Sequence, residues 1–279
     1  MIIDFHTHVF PDRIAEQTIH VLSGRSGIKP STDGTAQGLS RSMKEAGIGL
    51  SVNLPVLTHP GQADKVNDSL LRTQEEMLRL GILTFGGMHP EYADYREKLR
   101  ELAREGIRGI KLHPAYQGTD LDAPSMMRII DAASECGLVI LIHAGLDIGI
   151  PGHDYSSVKM ILRILDEIKP EKLVLAHMGG WKGWPEVEHD LAGADVWMDT
   201  AFSIGRIDSV KDQIRDPYNM SPEAFLSLCR KHGTDRILFG TDCPWADQQT
   251  YVEAVRGLPL SDEEQDAILG GNAKKLLGL

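Results

Sequence analysis

Short apolar runs that suit buried β-strands alternate with stretches of helical period along nearly all of this 279-residue chain. Because two parallel strands need a long crossover connection, usually a helix, this alternation favours an α/β fold with parallel strands. The predicted strands are residues 1–5, 49–54, 83–88, 109–112, 138–142, 173–176, 196–199 and 237–239. Helical patterns between them include residues 64–80, 92–105, 124–136, 155–168 and 222–232.

Eight such repeats predict a (β/α)₈ TIM barrel, for which about 250 residues is the usual size. A doubly wound open sheet is the structural alternative, but no G-x-G-x-x-G motif follows the first strand, which disfavours its dinucleotide-binding form. No repeat, low-complexity tract or linker interrupts residues 1–279, so we predict a single domain. Residues 23–38 and 200–220 predict long loops after the first and seventh strands, on the side where barrels build their active face.

Composition and charge disfavour several classes of partner. The formal net charge of −11 disfavours nucleic-acid binding, because such surfaces need a basic footprint. Three scattered cysteines favour a reduced compartment over a disulfide framework. No uninterrupted apolar run reaches the length of a membrane span, and the first residues lack the features of a signal peptide. We therefore expect a soluble cytoplasmic protein with a small-molecule partner, and a homodimer is compatible with the sequence.

Residues that can bind a metal follow the predicted strands. His6 and His8 end the first strand and share one of its faces, because residues two apart in a strand point the same way. Later strand ends carry His89, Lys111, His113, His143, His177 and Asp242. The carboxyl ends of barrel strands surround one mouth. We therefore expect a divalent metal ion bound there by His6, His8, His143, His177 and Asp242.

Each of these assignments has a structural alternative, since a histidine after an apolar strand is often only a packed, hydrogen-bonded residue. For His177, metal binding and acid–base chemistry both stay open. His89 and His113 each precede a proline and either hold the loop backbone or contact a substrate. The histidines on helical patterns away from strand ends are expected at the surface: His20, His189 and His232.

Five short motifs carry these residues: Ile-Asp-Phe-His6-Thr-His8, Gly-Ile-Lys111-Leu-His113-Pro, His143-Ala-Gly, His177-Met-Gly-Gly-Trp181 and Phe-Gly-Thr-Asp242-Cys-Pro-Trp245. Together and in this order, they resemble the amidohydrolase superfamily of metal-dependent barrel hydrolases over essentially the whole chain. The resemblance is greatest to the branch that contains aminocarboxymuconate-semialdehyde decarboxylase and related hydrolases.

The resemblance implies one divalent metal, zinc before manganese, on the positions that match His6, His8, His143 and Asp242. It also implies a role in substrate activation for His177 and a role in proton transfer for Asp242. In binuclear relatives a lysine on the fourth strand is carbamylated and bridges two metals, so a second metal stays open. We favour an ordinary ammonium for Lys111, which would bind a substrate carboxylate.

The first functional expectation is a hydrolase that attacks a small, acidic amide, lactone or ester with a metal-activated water. Asp242 would move the proton, while His177 and Lys111 would stabilise developing negative charge. The alternative is non-oxidative decarboxylation of an unsaturated or aromatic acid, which needs the same residues but delivers the proton to carbon.

Loop residues after the strands are candidates for substrate binding. Trp181 and Trp245 can wall a pocket, and Arg206 can bind a carboxylate with its planar fork. His113 and His89 join them as candidate substrate contacts. Two alternatives remain, a deoxyribonuclease of the TatD type and a metal-free binding barrel. A glutamate on the fourth strand would favour the deoxyribonuclease, but this strand carries Lys111. Loss of an expected ligand would favour the metal-free barrel, but every expected ligand is present.

Overall fold

The computed structural model of the protein describes residues 1–210 and 219–279. Part of the predicted loop at 200–220, residues 211–218, therefore lies outside the described residues. The described strands are β1 (Ile2–Thr7), β2 (Ile48–Asn53), β3 (Ile82–Thr84), β4 (Gly86–Gly87), β5 (Gly109–Leu112), β6 (Val139–Ile142), β7 (Leu173–Leu175), β8 (Trp197–Asp199) and β9 (Ile237–Leu238).

Helices follow most of these strands. In the described residues the helices are α1 (Asp12–Ser26), α2 (Ala36–Ala46), α3 (Ala63–Arg79), α4 (Tyr95–Arg104), α5 (Pro114–Gln117), α6 (Pro124–Glu135), α7 (Val158–Glu167), α8 (Trp184–Glu186), α9 (Pro222–His232), α10 (Gln248–Arg256), α11 (Asp262–Asp266) and α12 (Asn272–Leu277). Short 3₁₀ or π turns lie at Pro60–Gln62, His177–Gly179, Val187–Leu191, Thr234–Arg236 and Ala267–Gly271.

The periodicity of the sequence predicted most of these elements. β5 and α9 have the bounds that the sequence predicts, and the other predicted strands and helices differ mainly at their ends. The predicted strand at 83–88 divides at Phe85, because β3 is hydrogen-bonded in a sheet of order β1-β2-β3 while β4 pairs with β5. Eight predicted strands therefore become nine in the described residues.

The first connection is more helical than the sequence predicted. Residues 23–26 form the last turn of α1 and residues 36–38 the first turn of α2, which leaves a loop of residues 27–35. Gly27 ends α1 with φ +73°, a conformation that glycine adopts without a steric cost. The Thr35 side chain caps α2 by accepting from the Gly38 N–H. The Ser, Gly and Thr residues of this stretch are thus helix caps as well as loop residues.

The chain forms two compact units. The first comprises Met1–Asn53, Glu76–Leu83 and Asp199–Leu279, and the second comprises Leu54–Glu75 and Thr84–Met198. The single-domain organisation stays a prediction.

In the first unit, β1 is buried on both faces and pairs in parallel with β2. The Phe5 N–H donates to the Phe239 carbonyl, so the chain just after β9 lies alongside β1. Strands buried on both faces are typical of parallel sheets that helices cover. Polar side chains on β1 are therefore enclosed and need hydrogen-bond partners within the unit.

His232 corrects one expectation, because it is buried and not at the surface. The buried residues of α9 are spaced at i, i+3, i+4 and i+7, and they are Phe225, Leu228, Cys229 and His232. His232 thus completes the apolar stripe of an amphipathic helix.

In the second unit, β4 to β8 are parallel neighbours in chain order. Asn67 of α3 is fully buried, and its side chain is hydrogen-bonded to both backbone groups of Gly87 in the short strand β4. Its Nδ2 donates to the Gly87 carbonyl at 2.8 Å, and its Oδ1 accepts from the Gly87 N–H at 3.0 Å. A side chain therefore supplies hydrogen bonds that a longer strand would obtain from a neighbouring backbone.

Within the described residues, no helix has both the length and the apolar character that crossing a membrane requires. The three cysteines, Cys136, Cys229 and Cys243, form no disulfide there.

Replacement of Asn67 by alanine should lower the free energy of unfolding by about 2–4 kcal/mol, because it removes the partners of two buried backbone groups that cost about 1–3 kcal/mol each when unpaired. Chemical denaturation measures this change. Arg72→Ala on the exposed side of the same helix is the control and should change stability by less than about 0.5 kcal/mol. Equal effects of the two substitutions would show that Asn67 does not hold β4.

Candidate metal centre

Two imidazoles at the end of β1 face one carboxylate oxygen. The Nε2 atom of His6 lies 3.6 Å from Oδ1 of Asp242, and Nε2 of His8 lies 3.0 Å from the same oxygen. All three side chains belong to the first unit and are mostly enclosed, with at most 14% of each exposed. The predicted ligands His6, His8 and Asp242 are therefore close together.

Asp242 lies in a tight turn after β9 and adopts a left-handed backbone conformation with φ +71°. Aspartate is among the few residue types that adopt this conformation with some frequency. The Asp242 N–H donates to the His6 carbonyl at 2.8 Å, and the Asp242 carbonyl accepts from the Trp245 N–H at 2.8 Å. The turn is thus hydrogen-bonded directly to the strand that carries the two histidines.

Asp4 lies two residues before His6 on β1, and its buried side chain holds the turn that contains Asp242. Its Oδ1 accepts from the Thr241 N–H at 3.0 Å, and its Oδ2 accepts from the Thr241 hydroxyl at 2.6 Å and from Gln248 Nε2 at 2.7 Å. Burial raises the pKa of Asp4 to about 7, although these hydrogen bonds act in the opposite direction. Asp4 therefore holds the backbone beside Asp242 and has its own oxygens occupied.

His6 has a second polar partner that sequence reasoning missed. Its Nδ1 atom lies 2.9 Å from Oδ2 of Asp199, and both side chains are buried. Asp199 is the last residue of β8, so a polar residue at a strand end is the signal that could have identified it.

The first unit's donor set fits a divalent ion. Metal–ligand bonds of about 2.0–2.2 Å place neighbouring ligand atoms of a tetrahedral site about 3.3–3.6 Å apart. The two nitrogen-to-oxygen distances, 3.0 and 3.6 Å, are close to this spacing. Two imidazole nitrogens and a carboxylate oxygen suit Zn²⁺ or Mn²⁺, whereas copper(I) would favour soft cysteine or methionine ligands.

His143 and His177 contact each other in the second unit. Nε2 of His143 lies 3.2 Å from the Leu146 carbonyl, which can only accept, so this nitrogen carries a proton. Nδ1 of His143 therefore has the lone pair, and Nε2 of His177 donates to it at 2.9 Å. A carbonyl that accepts from one ring nitrogen is a usual feature of metal-binding histidines, and an ion bound at Nδ1 would replace the hydrogen bond from His177.

The environment of His143 keeps it neutral. Burial, together with the nearby His113, His177 and Lys111, holds the pKa of His143 well below its usual value. A neutral imidazole is the form that binds metals. Lys111 itself is almost fully buried on β5.

His113 stacks on His143, with ring centroids 4.1 Å apart and an interplanar angle of 13°. Its Nδ1 accepts from the Tyr116 N–H at 3.4 Å, so His113 caps the short helix α5. The neutral ring then carries its proton on Nε2, which faces Oδ2 of Asp147 at 3.6 Å. Asp147 is a second buried residue that sequence reasoning missed, four positions after His143 in the loop that follows β6.

The other predicted site residues occupy varied surroundings. His89 is buried, burial lowers its pKa, and its Nδ1 accepts from the Glu91 N–H at 3.2 Å, so it holds its own loop. Trp181 and Trp245 are partly exposed in the loops after β7 and β9, and Arg206 is exposed. That the residues of both units serve one metal ion and one substrate stays a prediction from the sequence.

Comparison with known proteins adds the family and the fold. A family model described as Amidohydrolase matches residues 3–279. No curated protein matches this chain.

Solved structures match nearly the entire chain. An uncharacterised TIM-barrel protein from Bordetella bronchiseptica has a TM-score of 0.73 at 20% identity, over 99% of this chain and 98% of its own. A dihydroxybenzoic acid decarboxylase from Polaromonas sp. JS666, with bound manganese and 2-nitroresorcinol, has a TM-score of 0.72 at 16% identity, over 100% and 97%. A probable 2-pyrone-4,6-dicarboxylic acid hydrolase from Acinetobacter baumannii, with citric acid bound, has a TM-score of 0.65 at 17% identity, over 100% and 99%. The fold is the (β/α)₈ barrel that the sequence predicted.

Gly145→Ala should disturb the loop that carries Leu146, because Gly145 has φ +81° and an added Cβ would overlap the Trp181 backbone nitrogen. Backbone atoms cannot move aside as a flexible side chain can, so the loss of unfolding free energy should exceed about 3 kcal/mol. Gly137→Ala is the matched control, since its φ is +68° but the Cβ would meet open space. It should cost only about 1–2 kcal/mol. Thermal unfolding of both variants measures the difference, and equal losses would contradict the close approach.

Proposed function

The chain belongs to the amidohydrolase family, and we propose that it is a metal-dependent decarboxylase of a small aromatic or unsaturated carboxylic acid. The sequence alone favoured hydrolysis. Decarboxylation now comes first because decarboxylases of dihydroxybenzoate and carboxyvanillate are frequent among the structures that share its fold.

The observation that carries the proposal is the pair of imidazole nitrogens of His6 and His8 directed at one oxygen of Asp242, at 3.6 and 3.0 Å. We assign these three residues as metal ligands, with His143 as a further ligand and His177 as a ligand or substrate-activating residue. The similar decarboxylase from Polaromonas contains manganese, which supports Mn²⁺ beside Zn²⁺ as the ion. A bound divalent cation supplies positive charge that binds and polarises an anionic substrate.

Asp242 is the proposed proton carrier. In decarboxylation the bond between the carboxylate and its carbon breaks, carbon dioxide leaves, and the electron pair that stays on carbon takes up one proton. Asp242 is 14% exposed, so it can recover a proton from solvent after each turnover. General acid chemistry by a positioned side chain contributes about 10²–10⁴-fold to a rate.

Lys111 and His177 are proposed to stabilise the negative charge of the substrate. Lys111 is an almost fully buried cation, and a charge in a dry site interacts more strongly than a charge in water. We propose that it acts as an ammonium group. His113, His89, Trp181, Trp245 and Arg206 stay proposed substrate contacts, although the backbone contacts of His113 and His89 support the alternative role of holding loops.

Hydrolysis of a lactone or amide is the second candidate. The similar structure from Acinetobacter is described as a probable hydrolase, and the same ligands can serve either reaction. The two reactions differ in whether the proton is delivered to carbon or to a leaving oxygen or nitrogen.

His8→Ala removes a proposed ligand and should lower the affinity for Mn²⁺ or Zn²⁺ by about 100-fold or more. Loss of a residue that is only hydrogen-bonded to a ligand already lowers metal affinity by about 10–100-fold. Mass spectrometry of protein purified without chelator gives the metal content, and titration gives the affinity. His20→Ala, an exposed histidine of the same unit, should leave both unchanged. Full metal occupancy in His8→Ala would overturn the ligand assignment.

The manganese-loaded protein should release carbon dioxide from 2,6-dihydroxybenzoate or 5-carboxyvanillate, with deuterium from D₂O entering at the carbon that lost the carboxylate. Asp242→Asn should slow this reaction by about 10²-fold or more, because the amide cannot deliver the proton. The exposed Asp266→Asn is the control and should keep the wild-type rate. Opening of 2-pyrone-4,6-dicarboxylate without any decarboxylation would replace the proposal with the hydrolase.

A further inference from the structure

The contact between His6 and Asp199 determines where His6 carries its proton. A carboxylate can only accept hydrogen bonds, and its Oδ2 lies 2.9 Å from Nδ1 of His6. Nδ1 therefore carries the proton, and the lone pair of the neutral ring lies on Nε2. Nε2 is the atom that faces Asp242 at 3.6 Å.

The orientation of the Asp199 carboxylate is itself determined by the backbone. Its Oδ1 accepts from the Ala201 N–H at 3.0 Å, so the two oxygens have different partners. Asp199 has no exposed surface, and water therefore cannot replace either partner at low cost. Asp199 is the last residue of β8, and Ala201, two positions later, begins the turn that follows the strand.

We propose that Asp199 is a positioning residue that holds His6 in the tautomer with its Nε2 lone pair directed toward the metal. The inference rests on the proposed metal centre. It assigns to Asp199 a role in metal affinity that it exercises through His6, without contact with the ion or the substrate. A carboxylate behind a ligand histidine fixes both the tautomer and the ring orientation, and it raises the basicity of the ligand nitrogen.

The alternative is a purely structural role, in which Asp199 fills a buried position and any hydrogen-bonding residue of its size would serve. Asp199→Asn distinguishes the two roles because it keeps the shape. In this variant the amide oxygen stays with the Ala201 N–H, so the NH₂ group faces Nδ1 of His6. The NH₂ group is a donor, so Nδ1 must accept and the proton moves to Nε2, where it blocks coordination.

The first measurement is the ¹⁵N NMR signature of His6 in the full-length protein after chelation of metals, assigned with His6→Gln. We expect a protonated Nδ1 in the wild type and a protonated Nε2 in Asp199→Asn. The second measurement is the affinity for Mn²⁺ and Zn²⁺, which should fall about 10–100-fold in the variant. Asp266→Asn, at an exposed position of the same unit, should match the wild type in both measurements.

A wild-type His6 with its proton on Nε2 would overturn the inference, and this result needs no variant to fold. An unchanged tautomer and affinity in a folded Asp199→Asn would also overturn it. A wild-type protein that binds neither metal would refute the metal centre, whereas normal binding in both proteins would refute only the role of Asp199. The two failures are therefore distinguishable.

Discussion

The buried carboxylate of Asp4 is the interaction on which the geometry of the first unit depends. It joins β1 to Thr241 and Gln248, which lie 237 and 244 positions away in the chain. A carboxylate out of contact with water is costly unless donors surround it, and a shift of the turn after β9 would remove both hydrogen bonds that Thr241 donates to Asp4. Asp242 directly follows Thr241. The same hydrogen bonds therefore set the distances from Asp242 to His6 and His8.

Both units hold their histidines by the same physical device. In the first, a carboxylate accepts from Nδ1 of His6, and in the second, a backbone carbonyl accepts from Nε2 of His143. In each ring the acceptor fixes the proton on one nitrogen and leaves the lone pair on the other. Polar groups enclosed between strands and helices must be paired in some way. In each ring the pairing leaves one nitrogen with its lone pair, which is the form that the proposed metal ligands need.

The sequence predicted the elements well because a strand buried on both faces and an amphipathic helix have distinct patterns. β5 and α9 were predicted to the residue. The errors come from residues that serve two purposes. The Ser, Gly and Thr residues between α1 and α2 have the composition of a loop, yet Gly27 and Thr35 are helix caps. The division at Phe85 depends on which strand each half pairs with, and pairing is a long-range property that a local pattern does not contain.

By itself, the sequence determined the alternation of strands and helices, the barrel fold class and the residue types that end each strand. Strand periodicity placed His6 and His8 on one face, because that relation is local. Only the tertiary structure decided which nitrogen of each imidazole has the lone pair, that Asp199 stands behind His6, and that His113 and His89 hold backbone. His6 and Asp199 are 193 positions apart, so their hydrogen bond exists only once the strands are assembled. The sequence therefore shows which chemical groups end each strand, but the protonation and orientation of each group follow from its partners in the folded state.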